Sequence, residues 1–525
     1  MDKAWCQRRW LTHGISVVMW MACVHAQAQS VPDAGSTSAQ VKSWSLKDLI
    51  LQVRTANKDI RNKQIERDVS ATGIDRAVAA FMPMATLSAT NGVNRQPSTY
   101  EEKLSRATEA EKLTNSMSSL YMRDGQDYAA GVSQLLPTGA KLEAKTTLSQ
   151  FITNINQNDA TRPAGAKDNR SNWGLTLTQP LAKDGGVAVT LARAQVADLD
   201  LDVAKHTLGE TESSIVAEAV LGYYELVMAQ HRVNAALEKI QTAQRLLSEA
   251  RALSRQGRLA DIDVVEVENS LSRFRAGLSE AKQGERERLN RLNTLIMAVT
   301  GNDVAVWKAA EDLPAVPRSA QAQALEAALR TAMESRHDYL MQKKMLEREG
   351  VQLVYAKNQA LPRIDLVASY GQNGLAYAAG TAFGAEVMRD YATWSLGLQL
   401  QVPLGGNLQG RADVAAANLR RENALLAIKA LEVQITNDID TGVHMRNSAM
   451  ERWVHWQEVA VREQLQLDVE RKKFNAGRSE IREILMREEK TINSRLMVIE
   501  QQLAHARAQV ILESAQGILL QRWPS

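Results

Sequence analysis

Residues 172–181 read NWGLTLTQPL, and residues 394–404 read WSLGLQLQVPL. In the first stretch Trp173, Leu175 and Leu177 alternate with Asn172, Gly174, Thr176 and Thr178. In the second, Trp394, Leu396, Leu398, Leu400 and Val402 alternate with Ser395, Gly397, Gln399 and Gln401. Successive side chains of an extended chain point to opposite sides, so both stretches predict strands with one apolar and one polar face. Each ends at Pro-Leu (Pro180-Leu181, Pro403-Leu404) and a glycine-rich turn, and about seventy proline-free residues rich in Ala, Leu, Glu, Arg and Gln follow. A continuous helix of that length extends roughly 100 Å. A single-core domain has no use for such a rod, so its length is read as functional.

Outward from these strands, the chain states one plan twice. Ser45 is a fitting N-cap, with Asp48 three positions on in the manner of a capping box. Leu46, Leu49, Val53, Ile60, Ile65, Val69 and Ile74 then keep three- and four-residue spacing as far as Phe81-Met82-Pro83. A strand follows, with Leu87, Ala89 and Val93 on one parity and Thr86, Ser88 and Thr90 on the other. A constant offset carries Leu46 onto Leu325, Asp59 onto Asp338, Pro83 onto Pro362, Leu87 onto Leu366 and Gly92 onto Gly371. The chain is therefore expected to be a tandem repeat of helix, strand, strand and long helical hairpin, mainly α with a β portion. The first repeat is expected over 45–300: helix 45–82, strands within 84–181, and a long hairpin 187–300 turning near 257. The second is expected over 324–522: helix 324–361, strands within 363–404, and a hairpin 408–522 turning near 477. Residues 301–323 read as a linker. Val216, Val220, Tyr223 and Val227, and then Val233, Leu237, Ile240 and Leu247, carry coiled-coil spacing with a register shift between them.

The halves differ in their inserts. In the first, a charged segment spans 97–127, and 128–136 and 140–148 are two alternating runs joined by Pro137-Thr138-Gly139, a hairpin signal. Whether this hairpin joins the other strands or folds apart from them stays open. In the second half, 371–391 reads as a Gly/Ala-rich loop.

At the N-terminus, residues 1–28 read as a removable signal peptide, with Lys3, Arg8 and Arg9 before an apolar core and Ala26-Gln27-Ala28 as the cleavage site. Residues 29–44 form a polar tail. Cys6 and Cys23 are the chain's two cysteines, and both lie in the leader, so disulfide and thiol chemistry are excluded from the mature protein. Lipidation at Cys23 would need a better attachment context than Trp20-Met21-Ala22. The 63 basic and 60 acidic residues are scattered rather than blocked, which argues against a nucleic-acid partner. The few aromatic residues and 11 prolines fit long helices.

Two-faced strands of about ten residues fit an outer-membrane barrel. Four strands, or six with the extra hairpin, cannot close one, and open edges do not exist in hydrocarbon. Several copies must then share the barrel, and a closed ring satisfies both edges and symmetry. A soluble sandwich is the competing arrangement, but it leaves the rods nothing to pack on.

At this point the chain resembles the TolC-like outer membrane efflux proteins, the outer membrane factors. The likeness covers essentially the whole mature sequence. It rests on the doubled plan, the Phe-Met-Pro and Ala-Leu-Pro junctions, the strands ending in Gln-Pro-Leu and Val-Pro-Leu, and the phrases GRLADIDVV (257–265) and GRSEIREIL (477–485). The resemblance implies a homotrimer, one third of an outer-membrane β-barrel and of an α-helical tunnel in each copy, reaching into the periplasm. It further implies a periplasmic adaptor and an inner-membrane transporter as partners, in efflux or type I secretion. Asp263 and Glu483, each six residues past a turn glycine, would line the periplasmic aperture and favour cations. Gly257, Arg258, Gly477 and Arg478 would be where the adaptor docks. The sequence departs from the family where Glu replaces Asp at 483, Met486 replaces a second carboxylate, and Ser479 stands at the position of a gating arginine, flanked by Arg478 and Arg482.

Trp173 and Trp394 are candidates for an interfacial aromatic girdle. His206, His231, His337, His444, His455 and His505 show no metal-ligating spacing. The turns at Gly185-Gly186 and Gly405-Gly406 lack the Lys-Ser/Thr of a phosphate loop. No catalytic constellation and no cofactor are expected. The alternative from another class is a periplasmic coiled-coil protein, structural or adaptor-like, that forms no channel.

Overall fold

In the computed structural model, which describes residues 42–107, 120–154, 163, 166–297, 299–300, 303–317, 325–387 and 391–523, local sequence decides where each helix starts and stops. The leader at 1–28, the tail as far as residue 41, Cys23, and parts of the segments 97–127, 301–323 and 371–391 lie outside the described residues. Residues 43–525 group as one unit, and the account concerns that unit. The described elements are, in order, β1 (Lys42–Trp44), α1 (Leu46–Ala56), α2 (Lys58–Ala79), β2 (Met84–Pro97), α3 (Tyr100–Arg106), β3 (Leu120–Leu135), β4 (Lys141–Thr153) and β5 (Asp168–Pro180). Then come α4 (Val187–Thr190), α5 (Ala192–Arg255), α6 (Asp261–Leu295), β6 (Val299–Thr300), β7 (Asp303–Val304) and β8 (Trp307–Ala309). The chain continues through α7 (Leu325–Ser335), α8 (His337–Gln359), β9 (Arg363–Ala376), α9 (Ala379–Val387), β10 (Ala392–Gln401), α10 (Leu408–Asn475), α11 (Ile481–Ala515) and α12 (Leu519–Arg522).

Ser45 caps α1: its Oγ accepts the Asp48 N–H at 3.2 Å and its hydroxyl donates to Asp48 Oδ2 at 2.7 Å. The single helices expected over 45–82 and 324–361 are each two. The first breaks at Asn57, whose backbone is extended and whose Oδ1 accepts the N–H groups of Asp59 and Ile60. A side chain that can cap the following turn competes with helix continuation. The second breaks at the corresponding Arg336, which donates from Nε and Nη2 to Asp338 (3.0 and 2.7 Å) and from Nη1 to Asp438 (3.3 Å) and the Ala515 carbonyl (3.2 Å). Arg336 thereby ties the start of α8 to α10 and to the end of α11. Burial works against its charge, but Asp338 and then Asp438 more than offset this, and the guanidinium is held even more firmly protonated than usual.

The long helices are α5, of 64 residues, and α10, of 68, each roughly 100 Å at the standard rise. Nearest the sheet, α2, α5, α8 and α10 pack side by side in that order; farther away the row is α6, α5, α11, α10. Core clusters lie along these rows. One gathers Leu49, Val53, Val216, Val220, Tyr223, Leu226, Leu292 and Val510; a second, toward the helix tips, gathers Leu246, Leu247, Val267, Leu271, Ile481, Ile484 and Leu485. The first run of heptad positions is thus buried throughout, whereas Leu237 of the second run is exposed.

The described part of the expected linker is not a free connector. Trp307 is 3% exposed and stacks on Trp44 with ring centroids 5.5 Å apart. Its indole N–H donates to Asn293 Oδ1 at 2.8 Å. The buried Tyr223 hydroxyl donates to the Trp44 carbonyl (3.0 Å) and accepts the N–H groups of Ala310 (3.1 Å) and Glu311 (3.0 Å). Leu313 and Val316 are also buried. An apolar residue at every few positions turns this segment into a strap across the helices. The expected loop at 371–391 likewise holds more structure: β9 runs to Ala376 and α9 packs on β5 and β9, where the Ser171 hydroxyl donates to the Ala382 carbonyl at 2.8 Å.

The six main strands form one antiparallel sheet in the order β10-β9-β5-β4-β3-β2. The hairpin left open by the sequence joins the sheet, between β2 and β5. Among the described residues, no helix is long and apolar enough to cross a membrane.

Candidate functional site

Residues directly opposite in an antiparallel ladder share a face, so the register fixes what each side of the sheet presents. One row runs Leu87, Ala130, Thr146, Trp173, Gln372, Ala392; the next runs Ala85, Val132, Ala144, Leu175, Tyr370, Trp394. Leu142, Leu177, Ala368 and Leu396 continue the same side, as do Leu366 with Leu398 and Ile364 with Leu400. The opposite side carries Thr86, Gly131, Lys145, Gly174, Gly371 and Thr393 in one row, and Ser88, Ala129, Thr147, Asn172 and Asn373 in another. The two faces keep their character across all six strands: one is a band mainly of Leu, Ala, Val and aromatic side chains, the other carries hydroxyls, amides and glycine with the charged Asp127, Lys141, Glu143, Lys145 and Asp365. Apart from the end where α9 packs over Ser171 and Gly374, the apolar face is uncovered in the single chain, with Leu87 85% and Leu398 70% exposed.

Trp173 and Trp394 both stand on the apolar face. Trp173 meets Tyr370 edge-on at 5.9 Å between centroids, and Tyr370 pairs directly with Trp394. Tyr128, opposite Leu148 on the same face, adds a further ring. The aromatics sit toward the end of the sheet away from the helices, where the apolar band gives way to Gln126, Gln150 and Asn169.

At the other end of the rods, both turns have the same build. Gly257 and Gly477 each have φ of +70°, a conformation open to glycine at no cost. The Gly257 and Arg258 N–H groups donate to the carbonyls of Ser254 and Leu253, and those of Gly477 and Arg478 to Phe474 and Lys473. This closes each long helix with a Schellman motif. Gly257, Arg258, Gly477 and Arg478 are all exposed. Asp263 and Glu483 are both the third residue of the returning helix, half-buried, where a carboxylate benefits from the helix dipole.

The second turn carries a dense ionic network. Arg487 donates from Nε to Glu483 Oε1 at 2.9 Å and contacts Gln466 and Glu463. Buried Glu488 accepts from Arg471 Nε at 3.0 Å, and Arg482 pairs with Glu480 at 3.3 Å. The Ser479 hydroxyl donates to Glu470 Oε1 at 2.6 Å, and with Lys473 it holds the Glu470 carboxyl below the usual carboxylate range. Sequence reasoning singled out Ser479, Arg478 and Arg482 here and passed over Arg487. The four-residue spacing of Glu483 and Arg487 on a helix was the signal that would have found it.

Two histidines far apart in sequence also meet. His206 Nδ1 of α5 and His337 Nδ1 of α8 are 3.3 Å apart. Burial, and then the charge of His337, push the His206 pKa down. Among the described residues, no group of three or more His, Cys, Asp or Glu side chains is placed to hold a metal ion.

No family model matches the sequence, and no curated protein does so. Solved structures match over nearly the whole chain. The outer-membrane channel OprN superposes with a TM-score of 0.62 at 16% identity, covering 90% of this chain and 89% of its own. The CmeC outer membrane channel of Campylobacter jejuni gives 0.60 at 14% identity, covering 94% of both chains. The open state of the MtrE outer membrane channel of Neisseria gonorrhoeae gives 0.58 at 14% identity, covering 93% and 95%. At such identities the likeness is one of architecture, and it coincides with the doubled strand-and-rod plan of the sequence. The chain has the fold of the TolC-like outer membrane factors.

Proposed function

We propose that this protein is a passive export conduit of the Gram-negative outer membrane, a homotrimer whose sheets close a barrel in the lipid and whose helices continue it through the periplasm. The observation that carries this is the two-faced sheet with both edges open. A continuous apolar band with a polar reverse side is what a wall between lipid and water needs, and the bare edges of β2 and β10 are what a neighbouring copy must seal. The helix rows support the same closure. Next to the β2 edge, α2 exposes Ile65 and Val69; next to the β10 edge, α10 exposes Leu419, Leu426 and Val433 at seven-residue intervals. These surfaces lie at opposite ends of one row, the requirement for a heterologous ring.

In this reading Asp263 and Glu483 line the periplasmic aperture, and three copies of each concentrate negative potential on the axis. Gly257, Arg258, Gly477 and Arg478 meet a periplasmic adaptor, and an inner-membrane transporter supplies the energy in a tripartite efflux or type I secretion system. Trp173 and Trp394 mark the outer lipid boundary. The conduit itself does no chemistry. Fractionation tests the core of the proposal: a detergent-extracted trimer in the outer membrane is expected, and a freely soluble periplasmic monomer refutes it in favour of a coiled-coil protein without a pore. In planar bilayers Asp263→Asn combined with Glu483→Gln lowers the cation selectivity of the pore. Unchanged selectivity removes both residues from the aperture.

A further inference from the structure

The β3–β4 hairpin is built into the sheet rather than laid against it. Every residue of β2 from Met84 to Pro97 has a partner on β3, and β4 pairs with β5 from Lys141 to Phe151. Its side chains keep the faces of their neighbours: Tyr128, Ala130, Val132, Leu142, Ala144 and Leu148 lie on the apolar side.

Its turn is fitted to the two junctions where helix meets strand. The Gln134 amide donates to the Phe81 carbonyl at 3.2 Å, between α2 and β2. The Thr138 carbonyl accepts the Gly186 N–H at 3.1 Å, between β5 and the short α4 that leads into α5. Gly139, at φ +90°, lies so close to this second junction that a Cβ would stand 2.4 Å from the Asp184 carbonyl oxygen. Only glycine fits there.

Arc lengths explain what the insertion accomplishes. The four helices nearest the sheet, α2, α5, α8 and α10, hand over to β2, β5, β9 and β10 in the same order. Helices packed at about 9–10 Å make a row of roughly 36–40 Å per copy. Strands about 4.8 Å apart and tilted about 40° each occupy roughly 6.3 Å of circumference. At that tilt four strands span about 25 Å and six about 38 Å, the second close to the width of the helix row.

We propose that the hairpin is a structural part of the barrel wall, so that three copies close eighteen strands into a barrel as wide as the helical tunnel beneath it. This rests on the trimeric reading above. The backbone radius is then about 18 Å, against about 12 Å for twelve strands. Barrels of that strand number leave an aqueous channel, and the reverse face lines it with Thr86, Gly131, Lys145, Gly174, Gly371 and Thr393, of which only Lys145 is long. A channel of that width moves size selection from the membrane portion to the helix tips.

The test is the strand count of the intact protein in lipid nanodiscs by electron cryomicroscopy. It is paired with a variant in which a short turn replaces residues 98–167 and joins β2 directly to β5. The native protein is expected to show eighteen strands at a radius near 18 Å, and the variant twelve strands at a radius near 12 Å. A native twelve-stranded trimer with the hairpin outside the wall overturns this inference and leaves the conduit standing. A native protein with no barrel overturns the conduit as well. If the variant does not assemble, the native strand count decides alone.

Discussion

The faces of the sheet make a prediction that exposure alone does not. Leu398 and Gln399 are neighbours on β10, both exposed in the single chain, but on opposite faces. Leu398 lies within the apolar run from Trp394 to Leu400, with Leu366 opposite it. Arginine on the lipid face of a barrel costs about 2–4 kcal/mol at the bilayer midplane, whereas on the lumen face it changes selectivity more than stability. Leu398→Arg is therefore expected to lower the equilibrium for folding into lipid by roughly 30- to 700-fold, and Gln399→Arg by less than about threefold. The assay is urea titration of the purified protein refolding into vesicles, followed by tryptophan fluorescence, with the trimer band on cold detergent gels as a second readout. Equal behaviour of the two variants would falsify the assignment of faces and, with it, the barrel.

Two further tests address the helical unit. Arg336 is only 12% exposed in its side chain and has Asp338, Asp438 and the Ala515 carbonyl as partners. Arg336→Ala should cost about 2 kcal/mol, chiefly by leaving the partly buried Asp338 and the Ala515 carbonyl without their donor, and Arg336→Lys should recover only part of it because lysine cannot fork onto Asp338; thermal unfolding in detergent reads both. The folded-state pKa of His206 lies below its ordinary value, so the unfolded chain takes up a proton first as pH falls. Stability is expected to be full above the ordinary histidine range and to decline as pH drops through about 6.5 toward the lower folded value. His206→Asn should flatten that part of the pH–Tm profile, and an unchanged slope would clear the histidine pair of the effect.

How far the fold could be read in advance depended on the range of the information. Alternation at Trp173–Leu177 and Trp394–Val402 is local, and with the proline-free rods it was enough to reveal the architecture. The helix breaks at Asn57 and Arg336 are less visible, since neither is a glycine or proline; Asn57 caps the turn that follows it, and Arg336 reaches across to α10 and α11. The strap at Trp307 looked like a linker because its partners, Trp44, Tyr223 and Asn293, are scattered through the chain. The same holds for His206 with His337, 131 positions apart. The hairpin at 128–148 is legible as a hairpin, but its neighbours depend on register with β2 and β5, which no local pattern encodes. At the tips, glycine turns and first-turn acids were legible, and the salt bridges that fix Glu470 and Glu488 were not.

The uncovered sheet has a consequence for biogenesis. A lone copy would carry a greasy panel and two sticky borders through an aqueous compartment, an open template for aggregation. Insertion one subunit at a time is barred as well, because a partial wall would leave backbone amides bare in oil. On the trimeric reading, assembly and membrane entry are then a single concerted event, third order at low concentration.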